Sequence, residues 1–276
     1  MKPVNQSGLI AKTTEPAPDA QKRPQSLKDW VQCMLPQIEK ALPSVITPER
    51  FSRMVLTALS ANAQLAQCTR DSFLGGMMQA AQLGLEPNTP LGQAYLIPYR
   101  NNRKGVTECQ FQVGYKGLID LAYRSGEVAT IQAHAVYSND EFHYELGLEP
   151  VLKHIPATQE RGELVYVYAV LKLTNGGYAF EVMSASDAAR HRDRYSKAAA
   201  RGASPWESDF EAMAKKTVLK KVLKYAPLKS DFVRGVAADG ETVRAHFDGE
   251  DAPVVEVAYE ASGEEYAVDA DGVVVE

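Results

Sequence analysis

The chain has 276 residues, 45% of them hydrophobic, and a mean hydropathy of −0.28, enough for one large domain or two small ones. No apolar run approaches the ~18 residues that a membrane-spanning helix needs, and the first 25 residues lack the continuous apolar core of a secretory signal, so a cytoplasmic protein is expected. The net charge of −5 is unevenly spread: residues 231–276 hold thirteen acids against Arg234 and Arg244, a net of −11, which leaves a body of +6.

In chain order, residues 1–25 mix Pro, Thr, Gln and Lys without periodicity and read as a disordered arm. Ser26 with Asp29 starts a short helix through Trp30, Val31 and Met34, which Pro36 should kink or end. Thr47-Pro48 starts a second helix, with Phe51, Met54, Val55, Ala58 and Leu59 at helical spacing. A third follows Asp71, carries Phe73, Leu74, Met77 and Met78, and stops at Gly84.

From Leu91 the period changes. Two β-rich runs joined by Asn101-Asn102-Arg103-Lys104-Gly105 predict a hairpin with a basic tip. In its second strand Glu108, Gln110 and Gln112 alternate with Cys109, Phe111 and Val113, so one exposed and one buried face are expected. Gly114-Tyr115-Lys116-Gly117 turns the chain into a helix over 118–124, closed by Gly126. The two glycines allow a close backbone approach to something bulky, or form only a tight strand-to-helix turn. Strands follow at 128–137, 141–146, 151–155 and 164–173, the last forming a hairpin across Asn175-Gly176-Gly177. Ser184 or Ser186 caps a helix with Arg190, His191, Arg192 and Arg194. A basic linker containing Lys197 comes next and is expected to be mobile without ligand.

Ser204 with Glu207 reads as a capping box, and Pro205 suits a first helical position, so one helix is predicted from Ser204 to Lys224. Ala214, Val218, Leu219, Val222, Leu223 and Tyr225 fall on one arc. Lys216, Lys220 and Lys224 form a row beside it, with Lys221 on the far side. With no acid after Glu211, the cationic face is expected to lack i,i+4 carboxylate partners inside the helix. Between residues 184 and 229 eleven Lys/Arg meet five acids, so this segment carries the basic excess. A solvated lysine face is the plain alternative to an anion partner. Past Pro227 the chain becomes an acidic, mostly disordered tail in which only 254–257 and 272–276 read as short strands; shielding of a basic groove and plain solubility explain it equally well.

The usual catalytic signatures are missing. No phosphate-cradling G-x-x-x-x-G-K-[ST], dinucleotide G-x-G-x-x-G, H-E-x-x-H or G-x-S-x-G pattern occurs. The five histidines are scattered. Cys33, Cys68 and Cys109 form neither a disulfide framework nor a zinc pattern. Asp120, Asp140, Glu141 and Glu145 are the acids from which a metal-dependent nuclease would have to be built. Rings near cations favour binding instead, since single strands are held by a cationic track plus stacking. Tyr95, Tyr99, Tyr115, Tyr195 and Trp206 are the candidates, of which one or two are expected to stack.

Three long segments, LGLEPNTPLGQAYLIPYR, QFQVGYKGLIDLAYRSG and PWESDFEAMAKKTVLKKVLKYAP, resemble in content, order and spacing the RecT family of phage and prophage single-strand annealing proteins. The resemblance runs from about residue 26 to 229, without departure in these segments. It implies an α+β core that assembles into rings or helical filaments, ATP-independent binding of single-stranded DNA, annealing of complementary strands and strand exchange. Implied partners are a RecE-type exonuclease and the host single-strand-binding protein.

The expected fold is α+β, an antiparallel sheet with hairpins packed by helices and a helical N-terminal third. Residues 26–230 would form the DNA-binding, annealing and oligomerisation core. The expected DNA contacts are Lys215, Lys216, Lys220, Lys221 and Lys224, with Arg103, Lys104, Lys116, Arg124, Tyr115, Arg190, Arg192, Arg194, Lys197 and Trp206. No catalytic residue and no cofactor are expected, Mg²⁺ at most modulating DNA binding. A metal-dependent nuclease of recombination and a purely structural assembly protein are the alternatives.

Overall fold

The computed structural model describes residues 26–196 and 204–227, with the backbone of two short strands at 242–244 and 258–260. The predicted arm, Lys197 with its linker, and the strands expected at 254–257 and 272–276 lie outside the described residues.

The N-terminal third is helical, and its ends follow local chemistry. Helix α1 (Leu27–Cys33) opens with a reciprocal box in which the Ser26 hydroxyl accepts from the Asp29 N–H and the Asp29 carboxylate accepts from the Ser26 N–H. The chain breaks at Met34, and Pro36 sits in the first turn of α2 (Leu35–Ala41), where its missing N–H costs little. Thr47 caps α3 (Pro48–Ala61), and α4 (Arg70–Leu83) ends on Gly84 at φ 57°, a left-handed cap that favours glycine. Phe51, Phe73, Met77 and Leu74 are fully buried among these helices.

Strands β1 (Ala94–Asn101) and β2 (Val106–Val113) form the expected hairpin, in antiparallel register from Ala94 opposite Val113 to Asn101 opposite Val106. Its second face differs from expectation. Glu108 and Gln110 are 4% and 3% exposed, because the carboxylate takes the Asn101 amide at 2.9 Å and the Lys104 ammonium at 3.8 Å, and further chain covers this face. Strand β8 (Thr242–Arg244), paired with β9 (Ala258–Glu260), runs beside β2 and α4.

Helix α5 (Tyr115–Arg124) starts three residues earlier than predicted, with Gly114 at its N-cap. A Cβ on Gly114 would lie 2.1 Å from the Gly92 carbonyl oxygen, and one on Gly117 2.1 Å from that of Gln93. The bulky neighbour these glycines admit is therefore the chain's own loop, so the turn reading holds.

The second sheet has the order β3 (Val128–Tyr137), β6 (Leu164–Leu173), β7 (Tyr178–Ser184), all antiparallel. Between β3 and β6 the chain makes a separate two-stranded ribbon, β4 (Glu141–Glu145) with β5 (Val151–Ile155). Ser184 caps α6 (Ala185–Tyr195) by accepting from the Asp187 N–H at 3.0 Å.

The single helix expected from Ser204 is two. Ser204 caps α7 (Pro205–Ser208), and the chain then breaks at Asp209, whose φ of −149° and ψ of 75° are not helical. Its carboxylate accepts from the Ala212 N–H at 2.9 Å and starts α8 (Phe210–Leu223). A short acid that can cap competes with helix continuation, which is why the break falls there. Helix α8 lies on the β3-β6-β7 sheet with Ala214, Val218 and Val222 fully buried, and one apolar cluster runs from Val31 to Ala226. The fold is α+β, as expected.

Candidate nucleic-acid interface

Helix α6 leaves β7 and passes beside α8, and an open cleft of about 690 Å³ lies between them. It is lined by Val182 and the buried Met183 of β7, by Asp187, Arg190, His191, Asp193, Arg194 and Tyr195 from α6, and by Lys221 from α8, so three cations face two carboxylates. Residues about thirty positions apart thus converge in one concavity. Trp206 sets the spacing: it is 6% exposed, 5.6 Å from the Phe210 ring and 6.3 Å from the His191 ring, and wedges α6 against the start of α8. The expectation that Trp206 contacts DNA is therefore corrected, because its ring is inside the protein.

The charges in the cleft are of two kinds. Arg190 is held by Asp187, whose carboxyl lies below its ordinary range because Ser184 donates to it and Arg190 sits beside it. Lys221 is exposed and has no ion-pair partner among the described residues. The Arg194 guanidinium lies 5.3 Å from the centre of the Tyr195 ring, which is 44% exposed and 4.7 Å from the His191 ring. A cation over an exposed ring leaves one face for a base and the charge for a phosphate.

The lysines of α8 do not act as one face. Lys215 and Lys221 are six positions apart, about 240° around the helix, and they emerge on opposite sides of its contact with the sheet. Lys215 pairs with Glu211 at 2.5 Å, so the expectation of no i,i+4 partner fails at this position. It lines a separate polar cavity of about 350 Å³ with His134, His154, Arg161, Tyr168 and Glu211. Lys216 and Lys220 are half-buried and engaged, whereas Lys224 is exposed just past the helix end. Tyr225, placed on the buried arc by periodicity, is exposed because the helix has already ended.

The remaining candidates lie elsewhere. Arg103 and Lys104 occupy the exposed tip of the first hairpin, Lys104 paired to Glu108. Lys116 is exposed on α5, beside a half-buried Tyr115. Arg124 serves the fold instead, since its guanidinium donates to the Leu83 and Gly84 carbonyls at 2.8 and 3.0 Å and pairs with Asp120, closing the C-terminus of α4. Arg192 pairs with Asp193 at 2.8 Å. None of Arg103, Lys104, Lys116 and Arg124 lines the α6–α8 cleft.

The acids considered for a nuclease do not converge. Asp120 is held by Arg124, Glu141 by Lys153 and Glu145 by His143. The Asp140 side chain is buried and takes Arg161 in two hydrogen bonds, His154 at 3.1 Å and the Tyr137 and Ala157 N–H groups at 2.9 Å. Arg161 first of all holds its carboxyl far below the ordinary range, although burial opposes this. Sequence reasoning missed this network, whose members come from β3, β5 and the segments that connect the strands, with no shared motif. Nearby, burial raises the Glu211 carboxyl, but hydrogen bonds from Lys215 and Tyr137 outweigh it and leave it below its ordinary value. His134 is exposed at the cavity mouth, and partial desolvation there, then the neighbouring His154 and Lys215, holds its imidazole below the usual histidine range.

The profile described as the RecT family matches residues 49–255. The chain is 40% identical over 208 residues to Protein RecT of Escherichia coli (strain K12), covering 75% of this chain and 76% of that one. It is 28% identical over 197 residues to the uncharacterized protein YqaK of Bacillus subtilis (strain 168), covering 70% of this chain and 64% of that one.

Proposed function

The chain belongs to the RecT family of recombination proteins, and on that footing we propose that it binds single-stranded DNA in the α6–α8 cleft and anneals complementary strands without nucleotide hydrolysis. The observation that supports this reading is the convergence of Arg190, Arg194 and Lys221 beside an exposed Tyr195, where the two lining carboxylates, Asp187 and Asp193, are already paired with Arg190 and Arg192.

The chemistry follows from what those groups do. The cations neutralise phosphates and lower the repulsion between two strands. Phosphate contacts leave the base edges free, so Watson–Crick pairing supplies the specificity and duplex formation the free energy. Stacking on Tyr195 adds ~1–3 kcal/mol for the base it meets. Lys216 and Lys220 on α8, Lys224 just past its end, and Arg103, Lys104 and Lys116 outside the cleft are further cations that a longer strand would meet. Assembly into rings or filaments multiplies weak contacts along one strand. A RecE-type exonuclease would supply the strand and the host single-strand-binding protein would yield it. No cofactor takes part in this scheme, and Mg²⁺ modulates the electrostatic term only.

The test is the annealing rate of two complementary labelled oligonucleotides with purified protein, without ATP, at low and high salt. Salt-sensitive acceleration with both strands intact is expected. A rate equal to the protein-free control at every salt overturns the proposal, and strand loss in Mg²⁺ would favour a nuclease instead.

A further inference from the structure

The polar cavity on the other side of α8 has no part in the strand-binding scheme. It measures about 350 Å³ and lies between the first turns of α8 and strands β3, β5 and β6. Its floor is Tyr168 and His154, both nearly inaccessible; its rim is His134, Arg161, Glu211 and Lys215, all reached by solvent. A buried floor under an open rim makes it a blind pocket rather than a channel.

The hydrogen bonds leave donors in excess. Arg161 uses Nε and Nη2 on the Asp140 carboxylate and the Ala135 carbonyl, so its Nη1 protons are unclaimed among the described residues. The Lys215 ammonium spends one of its three donors on Glu211. Both Glu211 oxygens are engaged, Oε1 by Lys215 and Oε2 by the Tyr137 hydroxyl, and the Asp140 side chain lies wholly buried behind the floor. The mouth is also positive: after partial desolvation, His154 and Lys215 are what hold a proton off His134. Surplus donors at a positive mouth suit an anion rich in oxygen. Among the described residues no three His, Cys, Asp or Glu side chains are placed to hold a metal ion, so a cation does not fit.

Charge selects the anion. Asp140 and Glu211 balance Arg161 and Lys215, so the cavity stays neutral until the histidines take protons. A phosphate monoester is a dianion with three acceptor oxygens and a second pKa near ~6, the range in which imidazoles titrate. An internal phosphodiester carries one charge and a backbone on both sides, which a blind pocket excludes.

We propose that this cavity binds a phosphate dianion, either the terminal phosphate of a DNA strand or free phosphate, through Arg161, Lys215, His134 and the Tyr168 hydroxyl, with proton uptake by the histidines. His134 faces His154 from β5, Tyr168 from β6, Glu211 and Lys215 from α8, and Arg161 from the segment before β6. His154 Nε2 donates to Asp140, and its Nδ1 lies 3.1 Å from the Tyr168 hydroxyl. Once Nδ1 carries a proton it donates to Tyr168, which turns its own proton to the phosphate. The strand-end source rests on the reading of the protein as a single-strand binder; the phosphate site itself does not.

Binding of the full chain to one oligonucleotide, with and without a terminal phosphate, tests this at about pH 6 and about pH 8. The phosphorylated strand should bind about tenfold tighter at the lower pH, and the preference should shrink to about twofold or less at the higher one. His134→Gln, an exposed position that folding tolerates, and Lys215→Gln should each remove the preference and keep the affinity for the hydroxyl-ended strand. Inorganic phosphate, titrated calorimetrically in two buffers of different ionisation enthalpy, should bind with proton uptake at the lower pH and in excess should erase the preference. A preference that survives both substitutions or grows with pH overturns the proposal, as does the absence of both preference and phosphate binding. Phosphate binding without a strand preference assigns the cavity to free phosphate. Phosphate binding in a protein that binds no strand at all upholds the site and defeats the strand-binding reading alone.

Discussion

Removing cleft cations should change the salt dependence of DNA binding by an amount the structure sets. Arg194 and Lys221 line the cleft without a carboxylate partner among the described residues, whereas Arg190 is already held by Asp187. On a single strand each phosphate neutralised contributes ~0.7 to the slope of log affinity against log salt. Arg194→Ala/Lys221→Ala should therefore flatten the slope by about 1.4. Between about 50 and about 200 mM salt the wild type should lose roughly sevenfold more affinity than this variant. Adding Arg190→Ala should flatten it by less than a further ~0.7, because the freed Asp187 carboxylate offsets part of the change. Lys215→Ala is the control: its ammonium faces the other cavity and is neutralised by Glu211, so the slope should barely move. Fluorescence anisotropy of a labelled oligothymidine over a salt series reads all four proteins. A double variant that keeps the wild-type slope would refute the placement of the strand in this cleft.

Three further outcomes are expected. Arg124→Ala should lower stability by about 1–3 kcal/mol in urea unfolding, because it strips two carbonyls at the end of α4 of a charged donor, and should leave the DNA salt slope unchanged; a flattened slope would return Arg124 to the interface. Gly117→Ala should cost about 3 kcal/mol, since its Cβ would sit 2.1 Å from the Gln93 oxygen, and near-wild-type stability would mean that the close approach is not maintained in solution. The His134 imidazole, facing His154, Lys215, Glu211 and Arg161, titrates below the ordinary ~6.5 when folded. The unfolded chain then takes the proton first, so the stability it contributes is present above about pH 6.5 and lost as pH falls through the folded value. His134→Gln should give a flatter stability profile between about pH 7 and about pH 5, and an unchanged profile would remove His134 from the account.

Much of this molecule is legible residue by residue. Ser26 with Asp29, Thr47-Pro48, Gly84 and Ser184 mark helix ends because a cap is a hydrogen bond or a steric allowance settled within four residues. The strands at 128–137, 151–155 and 164–173 are legible in composition and alternation, and the local excess of cations follows from counting. Three long segments identify the family before any fold is known.

What the sequence could not decide are matters of who meets whom across the fold. Lys215 and Lys221 share a helix and a charge, yet the sheet beneath α8 sends one to a polar cavity and the other to the cleft. Trp206 looks available for stacking until α6 folds over it, and Arg124 looks cationic until Leu83 and Gly84, forty residues away, take its donors. The polar side of β2 is expected in water, but Asn101 and Lys104 satisfy Glu108 and further chain covers it. Local geometry depends on neighbours along the chain and is therefore written in it. A side chain's partner depends on packing between distant elements, where burial and charge pairing act only once the elements have met.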